Sequence, residues 1–284
     1  MEPLVNPGAR PANELSESEA SEHVRSIFNS IAPSYDLLNH LLSMGLDRRW
    51  WSRTARTFRT TLARPDSRIL DLCCGTGDMT AALLKLRPHP STSHPSTHQR
   101  SVISTGAQRS GETCVSDHHE LKPTAITPIT GLDFSPEMLT RARLKYPSPN
   151  VIWTEGDAMH LPYPDNSFDL VTAAFGFRNL PNYAAGLREI HRVLRPGGQL
   201  GILECNQPDG LRGLGYSLYF HHVLPLIGGL ISGDRSAYKY LPDSVMRFPR
   251  PPQMLAMLHD TGFTTARWDG YFLKAAGLYV ATKP

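Results

Sequence analysis

Three short clusters in this 284-residue chain combine glycine with a carboxylate, the pairing a protein uses to bring its backbone close to a ligand and fix the ligand's hydroxyls. Gly75-Thr76-Gly77 follows an apolar run that holds Asp71 near its end. Glycine there lets the chain pass a ligand where a Cβ would obstruct it. Asp133, closing the run ITGLDFS, is placed to accept from two vicinal hydroxyls such as those of a ribose. Gly156-Asp157-Ala158 offers a carboxylate for an exocyclic amino group and a backbone N–H for a ring nitrogen. Asp71, beneath the glycine turn, suits an ammonium group. A dinucleotide site would want a third glycine at position 80, and Thr80 stands there instead. The ligand these groups describe is a nucleoside with a small charged tail, which is the chemistry of S-adenosylmethionine.

The elements that must carry these clusters alternate. Strands are expected at 68–73, 129–134, 151–155, 168–175 and 199–204. NYAAGLREIHRVLRPGG reads as a helix with Leu187, Ile190, Val193 and Leu194 on one face, stopping at Pro196-Gly197-Gly198. Alternation of strand and helix predicts a doubly wound, parallel α/β sheet, with ligands bound outside the carboxyl ends of the strands. Two helices precede the first strand, one with Val24, Ile27, Phe28 and Ile31 in register and one with Leu37, Leu38, Leu41 and Leu42. Residues 1–20 read as a disordered tail and 21–284 as the folded domain.

The segment 88–128 breaks the alternation. It has no sustained apolar period and carries five of the twelve histidines. Gly75 and Asp133 are 58 residues apart, and without these 41 residues the separation is 17, near the ~20 expected between a glycine turn and the ribose acid. The segment therefore reads as a disordered insertion. Its histidines match no metal-ligand spacing.

Composition removes several classes. Four cysteines without C-x-x-C argue for reduced thiols rather than a disulfide framework or zinc site. A formal charge of +3 is too weak and dispersed for a nucleic-acid surface. The most apolar run, 218–231, is too short to span a bilayer and is broken by His221, His222 and Pro225. The acidic N-terminus lacks the features of a signal or transit peptide, which favours a bacterial cytoplasm.

DLCCGTGD, GLDFSPEML, EGDAMHLPYPDNSFD and HRVLRPGG resemble the successive motifs of class I S-adenosylmethionine-dependent methyltransferases. VRSIFNSIAPSYDLLNHLLSMGLDRRWW, AAFGFRNLPN, HVLPLIGGLISGDRSAYKYLPDSVMRFP and LHDTGF resemble the UbiE/MenG family, the C-methyltransferases of ubiquinone and menaquinone biosynthesis. The resemblance runs from about Val24 to Lys283, interrupted by 88–128. It implies a mostly parallel seven-stranded sheet with N-terminal helices and a helical substrate cap. It also carries the family's cofactor positions onto Thr76, Asp133, Asp157 and Ala158, which join Asp71, Gly75 and Gly77 in the expected S-adenosylmethionine site, with Ala174 contributing only backbone where many members carry serine. Cys73-Cys74 stands where members often have a smaller residue.

The implied substrate is a polyprenyl quinol, demethylmenaquinol favoured over a benzoquinol. Arg178 would stabilise the quinolate electrostatically, Asn179 would bond a quinol oxygen, and Tyr35 with Asp36 would close the cofactor from above. For Tyr35 a packing role in the lid is an equal alternative. His222 is a conceivable base or a structural histidine of the cap. Segment 214–241 would form a channel for the isoprenoid tail, with reversible contact between this cap and the inner face of the membrane and Arg247 and Arg250 near its rim. A homodimer is compatible with the sequence. Two alternatives stay open: a methyltransferase acting on another small molecule, and a cofactor-binding regulatory protein without turnover.

Overall fold

The computed structural model describes residues 8–9, 16–43, 45–88, 126–206, 240 and 243–284. Most of the expected tail, nearly all of 88–128, His222 and the whole of 214–241 except Tyr240 lie outside the described residues. Among the described residues seven strands form one sheet: β1 (Ile69–Leu72), β2 (Ile129–Asp133), β3 (Val151–Glu155), β4 (Phe168–Ala174), β5 (Leu194–Cys205), β6 (Thr264–Tyr271) and β7 (Ala276–Thr282). Their order is β3-β2-β1-β4-β5-β7-β6. The first five strands are parallel neighbours, whereas β7 runs antiparallel to both β5 and β6.

Helices α1 (Glu17–Ile31), α2 (Tyr35–Leu42), α3 (Asp47–Thr57) and α4 (Arg59–Leu62) precede β1, and α5 (Asp78–Leu84), α6 (Pro136–Lys145), α7 (Tyr183–Val193) and α8 (Pro251–Asp260) follow. Alternation along each strand divides the core into two layers. Leu70, Leu72, Val171, Leu200 and Ile202 face Leu187, Ile190 and Val193 of α7 and Met254 and Leu258 of α8. Ile69, Leu170 and Leu203 face Trp51 and Ala55 of α3, Leu62 of α4 and Met79 and Leu83 of α5. The glycine turn, Asp133 and the end of β4 accordingly share one edge of the sheet.

The sequence expectations need four corrections. Helix α1 starts at Glu17, inside the expected tail, because Ser16 and Glu19 form a reciprocal capping box. Ala9 is also held, its N–H donating to the Leu180 carbonyl at 2.8 Å. Among the described residues four helices precede β1, not two: α3 is arginine-rich and lacks an aliphatic stripe, yet buries Trp51, Thr54 and Ala55. Helix α7 ends at Val193, since Pro196 disfavours helical geometry in the residue before it. Strand β5 then takes up Leu194 to Gly198, with an irregularity in its pairing to β4 and Gly197 at φ +75°.

Phe58 joins α3 and α4 to the sheet by filling the space over Gly201, where a Cβ would lie 2.5 Å from the ring. Phe58→Ala is expected to cost about 3–5 kcal/mol, read as a lower denaturation midpoint with an unchanged slope.

Candidate active site

The carboxyl ends of β1, β2, β3 and β4 surround a narrow cleft of about 630 Å³ counted out to its open mouth. Tyr35, Gly75, Asp133, Asp157, Ala158 and Asn179 line it, so six of the eleven residues singled out by sequence meet there. Sequence reasoning missed Phe28, Phe134 and Phe175 in its wall. Phe28 packs edge-on against both Tyr35 and Phe134, at centroid distances of 6.1 and 6.2 Å, so α1 and α2 roof the cleft with aromatic rings.

Asp133 lies at the meeting point of two loops. Its Oδ2 accepts from the Gly75 N–H at 2.8 Å and its Oδ1 from the Ser135 N–H at 2.9 Å. Each oxygen keeps further lone-pair capacity for a ligand hydroxyl. Burial pushes its pKa up to about 6, against the lowering effect of those backbone donors. Asp157 accepts from the Met159 N–H and pairs with His160 at 2.8 Å, leaving its carboxylate partly exposed at the mouth.

Two backbone features bring the strand ends together. Cys73 and Phe175, the residues after β1 and β4, both have positive φ, +52° and +58°. Between them Gly176 approaches Cys73 so closely that a Cβ would fall 2.3 Å from the cysteine Cβ. Gly77, at φ +89°, begins α5 where a Cβ would strike the Trp153 ring at 2.6 Å.

Five expected residues sit outside the cleft wall. Asp71 is fully buried and accepts from the hydroxyls of Thr80 and Thr172 at 2.5 and 2.8 Å. It braces the strand beneath the turn from behind the cleft wall. Burial raises its pKa to about 6. Gly77 serves as the helix start described above. The Thr76 hydroxyl donates to Asp36 at 2.6 Å, and Lys145 binds Asp36 and Asp78 at 2.7 and 2.9 Å, which latches α2 to the glycine turn. Ala174 packs into the core layer with α3 and α5, while the next residue, Phe175, reaches the cleft.

Arg178 is the largest departure. It is buried behind the cleft, and its guanidinium is bonded to Glu204 at 2.9 Å and to the Phe175 carbonyl at 2.5 Å, with Ser244 at 3.3 Å. Glu204, with no exposed surface, also accepts the Arg178 backbone N–H at 3.0 Å. Burial works against the Arg178 charge, but Glu204 together with Cys205 and Tyr35 holds its pKa above the ordinary value. The guanidinium is therefore a balanced charge and not a free anion clamp. Glu204 stands at the end of an apolar β5 run, and an acid in that position was the signal available for finding it. Asn179 does face the cleft, its side-chain oxygen accepting from Tyr240 at 3.1 Å.

The ubiE/COQ5 methyltransferase family model matches residues 16–283. The chain belongs to this family. A demethylmenaquinone methyltransferase of Deinococcus radiodurans is 40% identical over 94% of this chain and 95% of its own length. A protein of the same name from Thermus thermophilus is 40% identical over 91% of this chain and its full length. Solved structures share the fold at low identity: a S-adenosylmethionine-dependent methyltransferase from Thermotoga maritima (TM-score 0.56, 17% identical, covering 92% of this chain and 100% of that one) and the [4+2]-cyclase SpnF (0.57, 19%, 93% and 96%). A cyclase on the same fold shows that architecture alone does not fix the reaction, so the residues must.

The Arg178–Glu204 pair yields a double-mutant test. Arg178→Ala strands a buried carboxylate and should cost about 3–5 kcal/mol of stability. Adding Glu204→Gln should recover a substantial part, and denaturation curves of the two single variants and the double variant measure the coupling.

Proposed function

We propose that this chain methylates a ring carbon of a polyprenyl quinol, demethylmenaquinol in the first instance, using S-adenosylmethionine as methyl donor. The observation that carries the reading is Asp133: a buried carboxylate at the tip of β2, tied to the glycine turn and facing a cleft that continues to Asn179. The names of the relatives agree with it. The cleft fits the donor. Asp133 can receive the two ribose hydroxyls, Leu132, Phe134 and Met138 offer flat apolar surface to a base, and Asp157 with Ala158 can meet its polar edge.

When bound, the donor supplies an electrophilic methyl group on sulfur. The protein's part is to orient the quinol and favour its ionised form, whose ring carbon is the nucleophile. Asn179, its oxygen occupied by Tyr240, keeps its amide N–H donors for a quinol oxygen. Tyr35 has its pKa pushed up to about 12 by burial, so near neutrality its hydroxyl is a donor and not a base. Arg178 acts through its field, since its hydrogen bonds go to Glu204, Phe175 and Ser244.

The Asp133 titration makes a signed prediction. Its protonated form is favoured in the fold, so its contribution to stability is fully present below the ordinary carboxylate range and is lost as pH rises through about 6. Ligand binding runs the other way, because the hydroxyls need the carboxylate. Affinity for S-adenosylmethionine should fall as pH drops through about 6, approaching tenfold per pH unit below it. Titration calorimetry of Asp133→Asn should show weak, flat binding across the same range.

Incubation with labelled S-adenosylmethionine and a short-tailed naphthoquinol should give a C-methylated product by mass. Asp133→Ala should weaken donor binding by about tenfold or more, whereas Asn179→Ala should leave binding within about twofold and lower kcat. Equal loss of binding in both variants would contradict this division of labour.

A further inference from the structure

The turn joining β6 to β7 places bulky apolar residues in an unusual conformation. Phe272, Leu273 and Lys274 have φ of +31°, +54° and +68°, three left-handed residues in succession without a glycine. Their side chains are not paying for this by burial: Phe272 is 50% and Leu273 57% exposed. A hairpin selected only to reverse the chain would carry glycine or asparagine here.

The turn stands at the edge of the sheet that bears the cleft. Ala276 pairs with Cys205 at the end of β5, and the Ala275 carbonyl accepts from the Asn206 N–H at 2.9 Å, next to the buried Arg178–Glu204 pair. Cationic groups gather around it. The Arg53 guanidinium lies 4.2 Å over the ring of Tyr271, which directly precedes the turn. Arg49 is exposed one helical turn earlier on the same face of α3, and Lys274 is exposed in the turn itself. The nearby carboxylate of Asp269 is within 3.4 Å of Arg267. An exposed aromatic and an exposed aliphatic side chain in a turn that carries Lys274 and adjoins the Arg53 face of α3 match an anionic bilayer surface, where apolar groups insert below the headgroups and the cations meet the phosphates.

We propose that the Phe272–Lys274 turn, with Arg49 and Arg53, docks the protein on an anionic lipid surface and so holds the cleft edge against the membrane. This rests on the quinol reading, because a polyprenyl substrate resides in the bilayer, but it is tested apart from it. Phosphatidylglycerol-containing vesicles should sediment the protein and phosphatidylcholine vesicles should not, with salt reversing the binding. Phe272→Ser combined with Leu273→Ser should weaken vesicle binding about tenfold or more. Arg49→Glu combined with Lys274→Glu should abolish the preference for anionic lipid. Both variants should methylate a short-tailed quinol in solution at the wild-type rate.

Phe272→Trp covers the case of a variant that folds poorly: its added fluorescence, relative to wild type, should shift to the blue on anionic vesicles. An unshifted emission, wild-type binding in the serine variant, or no sedimentation of the wild type would overturn the proposal. So would a dimer that the serine variant dissociates while vesicles bind neither protein, since the turn would then meet a second copy. Absence of quinol methylation, with vesicle binding intact, would refute the substrate and not the docking surface.

Discussion

Three carboxylates on parallel strands, Asp71 on β1, Asp133 on β2 and Glu204 on β5, are buried toward one edge of the sheet, and the site depends on how each is balanced. A buried carboxylate is expensive unless it is hydrogen-bonded or paired. The three solutions differ. Asp71 takes two threonine hydroxyls, Asp133 takes two backbone N–H groups, and Glu204 takes a guanidinium together with the backbone N–H of the same arginine. Asp71 and Glu204 are engaged from within the protein and hold the strand ends rigid. Asp133, also served by neutral donors, differs in standing in the cleft wall, where its remaining lone pairs face a ligand.

That difference separates bracing from binding among residues that look alike in sequence. Asp71 and Asp133 both end apolar runs beside glycine, and both have pKa values raised to about 6 by burial. Position separates them: Asp133 lines the cleft, whereas Asp71 has no exposed surface and is held by Thr80 and, a full strand away, by Thr172. Spacing along the chain carries no information about a partner 101 residues distant.

What was legible follows the same boundary. The inner parallel strands β1, β2 and β4 were readable as almost wholly apolar, largely buried runs, β3 as a short Val-Ile-Trp run at the sheet edge, and the cleft at their carboxyl ends followed from topology. Strands β6 and β7 were not read: β6 is an edge strand of mixed polarity, with residues such as Arg267 and Asp269 on view. The Asp36–Thr76–Lys145 latch and the Arg178–Glu204 pair stayed hidden because each joins side chains from separate elements. The arginine was visible as a charge near a strand end. Its neutralisation was not, and that changes its role.

With Glu204 in place, the pair presents no net charge to the cleft, only the orientation of its dipole. An isolated buried arginine would bind any anion that entered and would lower quinol pKa without regard to position. A balanced pair cannot do that. Its influence is confined to groups near the guanidinium, and the Phe175 carbonyl, held by the same guanidinium beside the strained end of β4, fixes where that is. On the proposed reaction, discrimination then falls to Asn179 and Tyr35, neutral donors in the cleft wall whose hydrogen bonds have direction. On the proposed reaction this favours ionisation of the quinol oxygen within their reach over ionisation elsewhere, and the position of that oxygen selects the carbon that is methylated.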